Sequence, residues 1–88
     1  MKHPEPRVLA AARTMSGLDV RGLAAAAGVH YSLLSRAENH KGNPLGSASL
    51  RRVLIALWEE GILIDKTTVR RVRSRDDFER IYGEQNDQ

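Results

Sequence analysis

The chain contains no cysteine, so neither a disulfide framework nor a thiolate metal site can hold it together, and a reducing compartment suits it. Its histidines, His3, His30 and His40, have no metal-ligand spacing. It also lacks a glycine-rich phosphate loop and a His-Glu metal motif, and with no thiol nucleophile the reading is against an enzyme and against a cofactor. The longest apolar run is the six residues Val53 to Trp58, far short of the roughly 20 that cross a bilayer. Pro4, Glu5, Pro6 and Arg13 interrupt the N-terminal stretch that a signal peptide would need. The expectation is a cytoplasmic protein with no membrane partner. No internal repeat, low-complexity tract or linker divides the chain.

At 88 residues the chain is one small folding unit, and a chain of this size buries only about 60–65% of its unfolded surface. Regular helices or dimerisation must support so modest a core. The net charge of +3 is unevenly placed. Residues 1 to 45 carry Lys2, Arg7, Arg13, Arg21, Arg36 and Lys41 against Glu5, Asp19 and Glu38, while residues 46 to 88 are balanced. Neutralising phosphates drives sequence-independent affinity for DNA, so a basic surplus confined to one half favours a nucleic-acid partner over an acidic protein.

The basic half contains the most informative stretch, Leu18 to Glu38, which reads as two short helices around a glycine turn, a helix-turn-helix. Asp19 is suited to cap the first helix, Leu23, Ala24 and Ala27 share one helical face, and Gly28 supplies the positive φ of a helix end that turns sharply. Val29 fills the angle between the helices. The second helix starts at about Tyr31 and turns Leu34 and Ala37 inward, which leaves Tyr31, Ser32, Ser35 and Arg36 outward on its N-terminal half.

A helix-turn-helix that reads DNA inserts the N-terminal part of its second helix into the major groove. Arg36 offers a two-pronged donor to guanine. The hydroxyls of Ser32 and Ser35 suit base edges or phosphate, and Tyr31 suits a phosphate or a thymine methyl. The bland alternative is that these four side chains form only a solvated helix face.

With its flanks, residues 7 to 61, this segment resembles the Cro and phage-repressor type of helix-turn-helix domain, the XRE family. The resemblance rests on Arg13 before Ser16-Gly17-Leu18, Leu23-Ala24, Gly28-Val29, Arg36-Ala37-Glu38-Asn39, and Ser47-Ala48-Ser49-Leu50 opening a helix that ends Ala56-Leu57-Trp58-Glu59-Glu60-Gly61. It implies a lambda-repressor-like fold and an ion pair between Arg13 and Glu38. It further implies a short loop after the recognition helix that touches the DNA backbone, where Asn39, Lys41 and Asn43 stand. Two positions depart from the family pattern. Val20 replaces the usual Gln or Thr, so Arg21 or bare backbone amides must make that phosphate contact. His30 replaces the usual Ser or Thr at the cap of the recognition helix, and caps only if a ring nitrogen accepts a bond; it is read as a turn residue near phosphate.

The fold class expected is all-α, a small helical bundle. Helix 1 begins near Glu5 or Pro6 and runs to Met15, helix 2 spans about Val20 to Ala27, and helix 3 about Tyr31 to Asn39. A loop covers His40 to Gly46, and helix 4 runs from about Ala48 to Glu60, capped by Ser47 and closed by Gly61. Leu50, Val53, Leu54 and Leu57 should face the motif, with Trp58 beside them. Residues 1–61 make the DNA-binding domain, and residues 62–88 are a C-terminal extension considered as a dimerisation element. There Ile62-Leu63-Ile64 is a short apolar run, and Thr67 to Arg73 fits a strand paired back on it or a helix, with the Thr and Val content tilting it to a β-hairpin. Ser74-Arg75-Asp76-Asp77 resembles a capping box for a final helix from about Arg75 to Tyr82. Lys66, Arg70, Arg71, Arg73 and Arg75 are read as solvated or paired with Asp76, Asp77 and Glu79 rather than as DNA contacts. Trp58, Ile62, Ile64, Phe78 and Ile81 are candidates for a dimer interface, with core as the default reading of each.

Two functions follow from different classes. The first is a sequence-specific double-stranded DNA-binding transcription regulator, a repressor that occludes its operator as a homodimer on an inverted repeat. The second is an interaction module, such as an antitoxin whose C-terminal residues wrap a toxin.

Overall fold

Every helix boundary in the first half of the chain is set by a short-range device. In the computed structural model, which describes residues 4–39, 45–65 and 68–71, helix α1 spans Pro6–Ser16. Proline occupies its first turn, where a missing N–H costs nothing, and Gly17 ends it at φ 83°. Helix α2 spans Val20–Ala27 and is capped by Asp19, whose Oδ1 accepts the Gly22 N–H at 2.6 Å. It closes in a Schellman arrangement: Gly28 turns to φ 73°, its N–H donates to the Ala25 carbonyl, and the Val29 N–H reaches back to Ala24 at 3.0 Å. Helix α3 spans Tyr31–Asn39.

Helix α4 spans Ser47–Glu59. The expectation that Ser47 caps it is corrected: Gly46 is the N-cap residue, its carbonyl accepting the Leu50 N–H at 2.8 Å, and no side chain caps this end. Ser47 lies one position too far along to serve, already inside the first turn. At the other end the Gly61 N–H donates to the Trp58 carbonyl at 2.8 Å while Gly61 takes φ 84°. That positive φ lets the chain reverse directly into strand β1, Ile62–Asp65, which pairs antiparallel with β2, Thr68–Arg71, in the register Ile62 to Arg71 and Ile64 to Val69. Strand β2 thus occupies residues 68–71 of the segment for which helix and strand were both open.

The core is aliphatic. Leu9, Ala12, Leu23, Ala24, Leu34, Ala37, Leu50, Val53, Leu54 and Leu57 are all buried, and Ile62, Leu63 and Ile64 belong to the same cluster. Helix α2 packs on α3 and α4, α1 packs on α3, and β1 lies against both α1 and α4. Since successive strand residues face opposite ways, three consecutive buried side chains mean that β1 is covered on both faces. A strand covered on both faces reads as an unbroken apolar run, not an alternation, which is how Ile62-Leu63-Ile64 looks in the sequence. The hairpin therefore shares the helical core, with no break in packing at residue 61. Ile62 and Ile64 follow the core reading rather than the dimer one, and Trp58 is half-buried against the same cluster. Leu45, in the connection ahead of α4, is buried as well. The expected final helix over 75–82, with Phe78 and Ile81, lies outside the described residues. Among the described residues no helix is long and apolar enough to cross a membrane.

Candidate nucleic-acid interface

The exposed side of α3 depends first on how α3 is anchored. Its inner side is held by Leu34 and Ala37, both buried, and by Glu38, the one buried charged residue among the described core residues. The Arg13 guanidinium meets the Glu38 carboxylate through Nε, at 3.0 Å to Oε1 and 2.9 Å to Oε2. Its NH1 donates to the Leu18 carbonyl at 3.1 Å. One cation thus ties α1 to the turn before α2 and to the last turn of α3. The Glu38 side chain is 4% exposed and that of Arg13 20%, so the carboxylate depends on this partner for its charge balance. The pair implied by the resemblance is present.

The turn between α1 and α2 is knitted by Ser16, whose hydroxyl donates to the Arg13 carbonyl at 2.6 Å and accepts the Leu18 N–H at 3.2 Å. Val20, where the family pattern has a polar residue, is partly buried against the core, so it braces α2 by packing. An ideal Cβ on Gly22 would come within 2.9 Å of the capping Asp19 Oδ1. A side chain there would require the carboxylate to shift slightly.

The N-terminus of α3 is built around His30. The His30 carbonyl accepts the Leu33 N–H at 3.1 Å and the Leu34 N–H at 3.4 Å, which makes His30 the residue that opens the helix. Its ring Nδ1 accepts the Ser32 N–H at 3.1 Å and lies 2.7 Å from the Ser32 hydroxyl. The condition set by the sequence, a ring nitrogen that accepts, is met. The ring also stacks on Tyr31, with centroids 5.0 Å apart and planes inclined by 26°. From α2 the Arg21 guanidinium lies 3.9 Å from the Tyr31 ring centroid. Arg21, Tyr31 and His30 therefore form a contiguous group at the mouth of the turn, and cation–π contact of this kind holds a mobile arginine in place. Sequence reasoning singled out all three separately and missed that they touch.

Along the rest of α3, Tyr31 is 40% exposed, Arg36 is exposed, and Ser32 and Ser35 are half-buried. Among the described residues Arg36 has no ion pair or hydrogen bond. Asn39 donates from Nδ2 to the Ser35 carbonyl at 2.7 Å, closing the end of the helix and leaving its other amide hydrogen free of that bond. Lys41 and Asn43 lie outside the described residues. With Arg13 tied to Glu38 and Arg7 to Glu5, the cations of residues 4–39 that remain are Arg21 and Arg36. Both belong to the α2–α3 surface. No group of His, Asp or Glu among the described residues could hold a metal ion.

Comparison with protein-family models, with curated proteins and with solved structures finds no match to this chain.

Proposed function

We propose that this protein is a double-stranded DNA-binding regulator in which α2 and α3 form a helix-turn-helix of the lambda-repressor type and α3 enters the major groove. Tyr31, Ser32, Ser35 and Arg36 face the base edges, while Arg21, His30, Asn39, Lys41 and Asn43 flank them along the sugar-phosphate strand. The observation that carries the reading is the geometry of α3. Its inner side is locked by Leu34, Ala37 and the Arg13–Glu38 pair, and its outer side carries the Ser32 and Ser35 hydroxyls and the exposed Arg36 guanidinium, which has no partner among the described residues. An α-helix fits the major groove, and hydroxyl and guanidinium groups are the donors and acceptors that its base edges require.

Acting as a homodimer, two copies related by a two-fold axis present their recognition helices one duplex turn apart, which corresponds to half-sites about 10 base pairs centre to centre. Occupancy alone then excludes other proteins from the site, so the proposed regulator represses. Selection of bound sequences from a random duplex pool at moderate salt tests this. A palindromic consensus supports the reading and gives the stoichiometry. An unenriched pool overturns it and favours the interaction module, in which α3 contacts a protein such as a toxin.

A further inference from the structure

Resting on the DNA reading above, we infer that His30 sets the hydrogen-bond polarity of Ser32, so that Ser32 reads the exocyclic amino group of adenine or cytosine. His30 acts here as a positioning residue and Ser32 as the group that touches the base.

One donor at this helix end has no choice. A backbone N–H can only donate, and the Ser32 N–H is aimed at His30 Nδ1 at 3.1 Å. Nδ1 must then carry its lone pair, which puts the proton of the neutral imidazole on Nε2. The Ser32 oxygen lies 2.7 Å from the same Nδ1, and two lone pairs cannot face each other at that distance. The Ser32 hydroxyl therefore aims its one hydrogen at Nδ1, sharing that lone pair with the Ser32 N–H in a three-centre bond, and turns its own lone pairs outward. A free serine can donate or accept at a base edge; this one only accepts.

An acceptor discriminates between bases that otherwise look alike in the major groove. At the purine 6-position adenine offers an amino group and guanine a carbonyl, and at the pyrimidine 4-position cytosine offers an amino group and thymine a carbonyl. Ser32 in this state favours adenine over guanine, or cytosine over thymine, at the base it contacts.

The ring that fixes Ser32 is itself held in place. Tyr31 stacks on His30 and the Arg21 guanidinium lies over Tyr31.

The test is selection from the random duplex pool with the full chain, repeated with Ser32→Ala, His30→Asn and His30→Ala, each checked for helix content by circular dichroism. One position in each half-site should favour adenine or cytosine by about 2- to 12-fold, the range of one neutral hydrogen bond. Ser32→Ala should flatten that position alone. His30→Asn, whose side-chain oxygen caps as an acceptor, should keep adenine or cytosine. His30→Ala removes the acceptor and frees the Ser32 hydroxyl to donate or accept, so the preference should be lost. A consensus that ignores Ser32→Ala, or a preference that survives in His30→Ala, overturns this inference and leaves the DNA reading standing. An unenriched pool overturns both.

Discussion

Replacing Arg13 by Met keeps most of the aliphatic stem and removes the charge, which isolates what the Arg13–Glu38 pair contributes. The loss is unequal between the partners. Glu38 is 4% exposed at its side chain and Arg13 20%, so removing the arginine strands a carboxylate away from water. Glu38→Gln leaves instead a guanidinium that still reaches solvent and the Leu18 carbonyl. Stranding a buried charge costs about 3–5 kcal/mol, against a total stability of about 4–13 kcal/mol for a domain of this length. Arg13→Met should therefore lower Tm by roughly 12–40 °C, at about 4–8 °C per kcal/mol. Glu38→Gln should fall well short of that. Arg13→Met combined with Glu38→Met removes the stranded charge and fills the space with apolar atoms, so it should recover most of the loss. The exposed Arg7–Glu5 pair serves as the control, since its side chains are 89% and 57% exposed and Arg7→Ala should fall within about 0.5 kcal/mol of the parent. Thermal melts and urea titrations, both followed by circular dichroism at a helical wavelength, measure all four. A cost below about 1 kcal/mol for Arg13→Met, or a double variant no more stable than Arg13→Met alone, would refute a stranded Glu38 charge.

Three further outcomes are expected. Asp19→Ala should destabilise by about 0.5–2 kcal/mol in the same titration, because the Gly22 N–H loses its acceptor. Gly28→Ala should cost about 1–2 kcal/mol through the left-handed backbone alone, since an added Cβ meets nothing within 4 Å, and Gly28→Asn should cost less. Arg36→Ala should weaken binding to the selected consensus duplex by about 1–3 kcal/mol and relax preference at one base pair, measured by fluorescence anisotropy against single-base variants; unchanged affinity would remove Arg36 from the proposed reading face.

The limits of α1, α2 and α3 were legible in the sequence because each is fixed within four residues. Pro6 starts a helix by its locked φ, Asp19 caps one through its own side chain, and Gly17 and Gly28 end helices by adopting positive φ. The inward positions Leu23, Ala27, Leu34 and Ala37 followed from helical periodicity, which is equally local. The Arg13–Glu38 contact spans 25 positions, and the pattern around it announced it only through its likeness to a known arrangement. Ser47 misled because serine, a good capping residue, stands one position beyond the residue where the backbone enters the helix.

What depended on tertiary structure was every relation set by the angle between packed elements. The meeting of Arg21 with Tyr31, and the covering of β1 on both faces, depend on how α1, α2, α3 and α4 settle around shared leucines. Composition and spacing carry no coordinate for that angle. Side-chain chemistry along the chain determined which groups could donate, accept or turn. Core packing decided which of them came within reach of one another.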